Sequence, residues 1–200
     1  MNKFSKNKSD KLRGGERQIV EILWTGGFDS TFRIIQLSRC DVAIQPYYMS
    51  DNRKSEENEL NAIKSITESL KAHESTRCIF LDLIIVGVED RQNDPVIQKA
   101  WAELRKTDFF GSQYEWLASF ASNHKGIELS IHEDDKAVIL IKKYGNLKKC
   151  TDPVLGDYEM IDREKSNKNI EILFGNYHLP LVSWTKLQMK EFYEKNNYSH

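Results

Sequence analysis

The segment EILWTGGFDSTF, at 21–32, places two glycines, an acid and several hydroxyl side chains directly after an apolar run. Gly26 and Gly27 have no Cβ atom, so the oxygens of a phosphate can approach the main chain there. Backbone N–H groups in such a turn, aligned with the first turn of a helix, form a binding site for anions. Hydroxyl donors are added by Thr25, Ser30 and Thr31. The segment predicts a phosphate-binding loop, with a tight turn that binds nothing as the alternative.

The acid of this loop, Asp29, does not suit direct contact with an anion. It suits the site if its carboxylate caps the following helix or helps to hold a magnesium ion. The spacing of the glycines matches neither the GxxxxGK pattern nor GxGxxG, and a bare Gly-Gly turn before Asp-Ser is a weak indication of a ligand. The loop alone therefore does not identify a family.

Three further acids lie in segments where a metal could be bound. Asp134 and Asp135 follow a predicted strand, and they predict either a solvated acidic turn or oxygen ligands for magnesium. Asp51 follows another predicted strand and leaves the same two alternatives open.

Lys186 is the candidate cation of the site. It is either a neighbour of a helix cap or a mobile charge that neutralises a transferring phosphate or adenylate. His132 and His178 flank these segments, and we interpret both as structural hydrogen-bonding residues.

Strands and helices alternate along the chain that must position these residues. The patterns predict strands at 18–24, 42–49, 78–88 and 126–131, with a short one at 171–174. They predict helices after the glycines and at 54–73, 95–106, 112–123 and 185–196, while 136–175 holds a helical piece and a turn-rich stretch at 146–157. Pro46 favours a position near a sheet edge or an irregularity. This order predicts an α/β fold, a Rossmann-like parallel sheet with helices on both faces and ligands at its carboxyl edge.

Composition fits one such domain. The chain has 200 residues, 40% of them hydrophobic, and 29 basic against 30 acidic residues give a net charge of -1. That balance gives no general case for binding nucleic acid or a membrane surface. We expect 1–17 to be a basic, solvated tail and 18–200 to be a single domain.

The cysteines and the N-terminal segment indicate the compartment. Three cysteines lie far apart and form neither a CxxC pair nor a disulfide framework, so reduced thiols are expected and no zinc is expected from this chain alone. The N-terminal segment lacks an apolar core, and no stretch is long enough to cross a bilayer, so we expect a cytoplasmic protein.

Several segments together resemble one enzyme family. WTGGFDST resembles the SGGxDS pyrophosphate loop of the PP-loop ATP pyrophosphatases, with Thr25 at the usual serine. Within that superfamily the chain is most similar to the 7-cyano-7-deazaguanine synthases, through YMSDNRKSEENELNAI, FGSQYEWLASFA, LSIHEDD and LPLVSWTKLQMKEFYEKNN. Asp51 and Glu59 fall on the family's two acids, and Lys186 falls on its lysine. The resemblance covers about 18–197 and does not include the family's four-cysteine zinc module.

The resemblance implies a set of site residues. ATP phosphates would be bound by the loop, and the nucleotide would also contact the end of the second strand: Thr25, Gly26, Gly27, Phe28, Asp29, Ser30, Thr31, Tyr48 and Met49. It implies Lys186 and Asp29 as catalytic residues, and Ser112 and Gln113 as substrate-binding residues at the family's Arg-Asn position. Magnesium would be held by Asp51, Asp134 and Asp135.

The implied reaction is the ATP-dependent activation of 7-carboxy-7-deazaguanine as an acyl adenylate, followed by ammonia to give the amide and then the nitrile. The implied partners are therefore a deazapurine carboxylate and ammonia, with a protein partner or a homodimer left open. Two alternatives remain at this stage. One is an adenylating enzyme of a bacterial defence system that modifies a macromolecule, and the other is a non-catalytic nucleotide-binding subunit that needs a partner.

Overall fold

A parallel sheet forms the centre of the computed structural model, which describes residues 17–196 and Tyr198. The strands of the described residues are β1 (Gln18–Leu23), β2 (Val42–Met49), β3 (Ile79–Phe80), β4 (Ile84–Val86), β5 (Ile127–Glu128), β6 (Leu147–Asp152), β7 (Gly156–Ile161) and β8 (Tyr177–His178). The helices are α1 (Phe28–Ser38), α2 (Glu56–Ala72), α3 (Pro95–Arg105), α4 (Gln113–Asn123), α5 (Lys136–Tyr144), α6 (Lys168–Phe174) and α7 (Lys186–Lys195).

The strand order across the sheet is β3-β2-β1-β5-β8, and β4 also pairs with β2. Every pair in this sheet is parallel, whereas β6 and β7 form a separate antiparallel hairpin. After β1, the chain forms β2, β3 and β4 on one side of β1. It then crosses back and forms β5 and β8 on the other side. This architecture confirms the predicted Rossmann-like α/β fold.

Two apolar cores lie on opposite faces of the sheet. Ile22 of β1 packs with buried residues of α1, α2 and α7, whereas the adjacent Leu23 packs with buried residues of α3, α4, α5 and α6. Successive side chains of a strand point to opposite faces, so a strand buried on both faces reads as a continuous apolar run. The helices therefore cover both faces, as the alternation in the sequence predicts.

Pro46 lies in an interior strand beside an interruption in the neighbouring strand. β2 pairs with β3 up to Ile44 and with β4 from Tyr47, so Pro46 faces the gap between them. Proline has no N–H to donate to a ladder, and the side chain of Gln45 instead donates to the carbonyl of Asp82 at 2.8 Å. The expected single strand at 78–88 is therefore split into two short strands, and the irregularity that Pro46 favours is confirmed.

The segment 136–175 differs most from its predicted structure. A hairpin, β6 and β7, occupies most of the turn-rich stretch, and the predicted strand at 171–174 is wrong because these residues belong to α6. The side chain of Asn167 accepts from the backbone N–H of Asn169 and caps the helix, whose buried Ile170, Leu173 and Phe174 share one face. A four-residue apolar run does not distinguish a strand from a buried helix.

Two further expectations concern the chain as a whole. The predicted tail at 1–17 lies, apart from Arg17, outside the described residues. Within 17–196 and Tyr198, no helix combines the length and the apolar character that crossing a membrane requires.

Candidate functional site

The glycine loop lies at the carboxyl end of the central strand. It connects β1 to α1, and β1 pairs with β2 on one side and β5 on the other. The order in which strands are added to the sheet reverses between β1 and β5, and ligands of open parallel sheets bind in the crevice at this point. The fold therefore places the candidate phosphate loop where a ligand is expected.

Gly26 and Gly27 differ in their surroundings. Gly26 has a φ of +71°, and a Cβ there would lie 3.0 Å from the carbonyl oxygen of Glu59 and 3.2 Å from Ile63 Cγ1. Gly27 has an ordinary φ of -74°, and the one atom within 4 Å of its Cβ would be Thr25 Oγ1, at 3.3 Å. The fold itself requires Gly26, whereas a Cβ at Gly27 would crowd a single atom, the Thr25 hydroxyl oxygen.

The first turn of α1 has the character of an anion site. Gly27 is the N-cap residue and supplies no side-chain acceptor to the helix. The hydroxyls of Thr25 and Ser30 make only long hydrogen bonds within the loop, such as 3.4 Å between their Oγ atoms. Long bonds of this kind are weak, so both hydroxyls can turn toward a ligand. The hydroxyl of Thr31 is buried and accepts from Trp24 Nε1 at 3.1 Å, so this predicted donor holds the loop instead.

Asp29 faces the buried imidazole of His132 across the crevice. Asp29 Oδ1 lies 4.0 Å from His132 Nε2, and among the described residues neither this oxygen nor either ring nitrogen has a hydrogen-bond partner. His132 is only 7% exposed. Tyr193 of α7 also lies near Asp29, and burial together with this carboxylate raises the pKa of the Tyr193 phenol.

His132 is a site residue that the sequence interpretation passed over as structural. Its side chain lies toward α1, whereas those of Leu129 and Ile131 belong to the core on the other face of the sheet. It follows directly after the predicted strand 126–131, at the same edge as the glycine loop. This position could have identified His132 as a site residue from the sequence, because the carboxyl ends of parallel strands meet at one edge.

The ion pair of Arg33 and Glu128 fixes α1 against β5 below the crevice. Arg33 Nε and Nη2 each donate to a Glu128 carboxylate oxygen at 2.7 Å, and the two side chains are 5% and 2% exposed. Both charges are therefore satisfied by a two-bond contact of fixed geometry. This contact joins α1, which carries Asp29, to the strand that precedes His132.

The end of β2 supplies packing and a polar cluster. Tyr48 is fully buried, its hydroxyl donates to Glu59 Oε2 at 2.9 Å, and burial raises its pKa to about 12. Met49 is buried in the core beside α3 and α4. Asp51 contacts Arg53 at 3.5 Å, and Arg53 also donates to Glu59 at 2.7 Å. The side chains of Tyr48 and Met49 are therefore committed to packing, and their main chain pairs with β4.

The three predicted metal ligands do not form one cluster. Asp135 caps α5 through the backbone N–H of Ala137 at 2.7 Å, and Asp51 contacts Arg53. Asp134 is exposed in the turn before α5. Across 17–196 and Tyr198, no group of three or more His, Cys, Asp or Glu side chains is placed to hold a metal ion.

The remaining predicted residues lie at the starts of two helices. Ser112 and Gln113 are exposed at the start of α4, where the next residue, Tyr114, donates to Asp135 at 3.4 Å and so lies beside the loop after β5. Lys186 is the exposed first residue of α7, next to a capping box formed by Thr185 and Gln188. In the described part of the chain, no hydrogen bond or ion pair engages the Lys186 ammonium group.

A separate cleft of about 500 Å³ borders α1 beyond its first turn. It lies between α1, the β6–β7 hairpin and α7, and its lining includes Arg33, Arg39, Lys149, Tyr158, Trp184 and Phe192. The glycine loop does not line this cleft. We base the site on the loop because buried groups without hydrogen-bond partners converge there.

No protein-family model matches this chain, and no curated protein matches it at a significant level. The fold and the loop together describe a parallel α/β protein with an open helix N-terminus at its ligand-binding edge. Function must therefore be inferred from the chemistry of that edge.

Proposed function

We propose that this chain binds ATP with its phosphates on the glycine loop and activates a carboxylate as an acyl adenylate, in the manner of the PP-loop ATP pyrophosphatases. The observation that carries the proposal is the N-terminus of α1, which has no side-chain cap at Gly27 and lies where the strand order of the sheet reverses. The resemblance of the loop to SGGxDS supports the nucleotide, and the further similar segments make 7-carboxy-7-deazaguanine the first acceptor to test.

In the proposed reaction a carboxylate oxygen attacks the α-phosphorus of ATP, and the bond to pyrophosphate breaks. Ammonia then adds to the acyl carbon, loses a proton, and AMP leaves to give the amide. In a second activation the amide oxygen attacks the α-phosphorus of another ATP and displaces pyrophosphate. AMP then leaves with that oxygen, and the loss of two protons from nitrogen gives the nitrile. The protein contributes by positioning the reactants and by stabilising the charge on the phosphates.

The residues at the edge have distinct proposed roles. Backbone N–H groups of the loop hold the phosphates, and Lys186 supplies a mobile positive charge. Magnesium usually binds through one or two carboxylates together with substrate phosphates, and the buried Oδ1 of Asp29 fits such a ligand. When bound, the ion neutralises phosphate charge. Ser112 and Gln113 are exposed near the same edge and are proposed to contact the acceptor.

The test is the release of pyrophosphate from ATP and magnesium, measured with and without 7-carboxy-7-deazaguanine. Release that depends on the deazaguanine supports the synthase assignment. ATP binding without release points to another acceptor or to a missing partner. If the protein does not bind ATP at all, the assignment of the glycine loop is wrong.

The second candidate is a nucleotide-binding subunit that works with a partner. It is favoured by the sheet edge at β3 and β4, which the described residues leave exposed. Ile79, Ile84 and Ile85 of β3 and β4 are 48%, 42% and 50% exposed. At the opposite edge, β8 is joined to the hairpin through backbone hydrogen bonds between Glu159 and Leu179. An exposed apolar edge strand is a template for pairing with another chain.

A further inference from the structure

His132 differs from the other histidines that the structure describes. His73 is within 2.8 Å of the Ser75 hydroxyl, His124 is within 3.3 Å of Glu21, and His178 packs on the ring of Tyr158. His132 is 7% exposed, yet neither of its ring nitrogens has a hydrogen-bond partner among the described residues. A polar group buried without a partner is destabilising, so each one in a native protein needs an explanation.

A second unsatisfied group lies directly opposite. Asp29 Oδ1 is buried, has no hydrogen-bond partner in the described chain, and lies 4.0 Å from His132 Nε2. This distance is too long for a hydrogen bond. Asp29 belongs to the first turn of α1, which follows β1, and His132 belongs to the loop after β5, so the two groups face each other where these two parts of the chain meet.

We infer that His132 is a ligand-binding residue of this site, whose imidazole donates a hydrogen bond to a phosphate oxygen of the bound nucleotide. A neutral imidazole carries one donor and one acceptor nitrogen, and a phosphate oxygen at the start of α1 provides the acceptor that the protein lacks. The inference rests on the proposed function in that the phosphate belongs to the nucleotide held by the glycine loop. It adds a contact from a side chain in the loop after β5, outside the glycine loop.

Because His132 makes no hydrogen bond with the described residues, its effects on stability and on ligand binding can be tested separately. In the ligand-free protein its nitrogens contribute no hydrogen bond, so an apolar residue of similar volume should not weaken the fold. We therefore expect His132→Leu to keep or raise the melting temperature and to weaken binding of inorganic pyrophosphate about tenfold or more. A histidine with a purely structural role would show the opposite pattern, with loss of stability and unchanged binding.

Isothermal titration with inorganic pyrophosphate and with ATP and magnesium measures the effect in the full chain. His178→Leu is the matched control, since it makes the same change one strand away, and it should bind like the wild type. Nitrogen-15 spectra of the histidine rings provide a measurement on the unmodified protein. There the His132 resonances should shift on adding pyrophosphate, and those of His178 should not.

The outcomes separate the two proposals. If the wild type binds and Gly27→Val does not, but His132→Leu binds normally and the His132 resonances stay in place, only the role of His132 is overturned. If the wild type binds neither pyrophosphate nor ATP, the phosphate assignment of the loop is overturned, and the role of His132 with it.

Discussion

Gly26 and Gly27 are neighbours that are glycine for different reasons. Gly26 adopts a left-handed conformation and packs against α2, so its lack of a side chain serves the fold. Gly27 adopts an extended conformation in which any residue is permitted, and a Cβ there would displace only the exposed Thr25 hydroxyl. Substitutions at Gly26 and at Gly27 should therefore change stability and ligand binding separately.

We expect Gly27→Val to weaken phosphate binding about tenfold or more, because the new side chain occupies the approach to the N–H groups of α1. Its stability should change little, since the exposed Thr25 hydroxyl is the one atom it crowds. Gly26→Ala should lose about 1–2 kcal/mol or more of unfolding free energy through its left-handed backbone. Titration calorimetry and urea denaturation check the two results, and equal binding by both variants and the wild type would contradict the loop assignment.

Lys186→Ala tests the proposed mobile cation. Because Lys186 is exposed and has no ion pair with the described residues, its removal should change stability by less than about 0.5 kcal/mol. Its loss should slow pyrophosphate release about 100-fold, the scale seen when a charge-stabilising donor is removed. Lys190→Ala, an equally exposed lysine one turn further along α7, is the control and should react at the wild-type rate.

The sequence predicted a phosphate-binding loop at the glycines, but it did not predict that His132 lies opposite Asp29. Gly26, Gly27 and Asp29 are contiguous, so their pattern is visible in the chain. His132 lies far from them in sequence, and only the pairing of β1 with β5 brings it to 4.0 Å from Asp29. The sequence also could not show that Asp135 is used as a helix cap, since a carboxylate before a helix fits a cap and a metal ligand equally well.

At the scale of elements, the contact between α1 and β5 depends on a buried ion pair. Removing one partner of such a pair leaves an uncompensated charge in the core and costs about 3–5 kcal/mol. We expect that loss of unfolding free energy for Glu128→Ala, measured by urea denaturation. The double variant Arg33→Met with Glu128→Leu should recover much of it, because both charges are then absent. Equal stability of the Glu128→Ala variant and the wild type would show that the pair contributes nothing.

The elements that were predicted correctly are those with long, regular patterns. α2 shows apolar residues at helical spacing, and β2 is a run that is apolar except at Gln45, so both lie close to their expected bounds. Short elements depend on tertiary contacts instead. β5 pairs over only Ile127 and Glu128, β8 is equally short and was not predicted, and the strand at 171–174 proved to be part of a helix. Runs of two to four residues carry too little periodicity to decide between these structures.

For the molecule as a whole, His178 couples stability to pH. Burial lowers its pKa below the ordinary value of 6.5, with Glu128 and Asp152 opposing that effect and Arg33 reinforcing it. The unfolded chain therefore takes up a proton at a higher pH than the folded protein, and stability must fall as the pH drops below about 6.5. We expect His178→Gln to show a smaller fall between pH 7 and pH 5 in urea denaturation. Parallel curves for the variant and the wild type would contradict the coupling.

The sheet edge formed by β3 and β4 exposes apolar side chains, and we expect a dimer for this reason. We expect two copies of the chain to associate through β3 and β4, because their exposed isoleucines are not covered by the described residues. Ile85→Lys should then convert the dimer to a monomer in size-exclusion chromatography with light scattering. Val96→Lys changes an equally exposed residue of α3, away from this edge, and should leave the dimer intact. A monomeric wild type would exclude this assembly.

The pairing of β1 with β5 also has a consequence for the order of folding. β1 and β2 are close in the chain and can pair early, whereas Arg33 and Glu128 are 95 positions apart and must close a long loop before they meet. The crevice between Asp29 and His132 comes into existence only at that late step. A nascent or half-folded chain therefore carries the glycine loop without the opposite wall, and we expect the proposed phosphate site to bind its ligand only once the chain has finished folding.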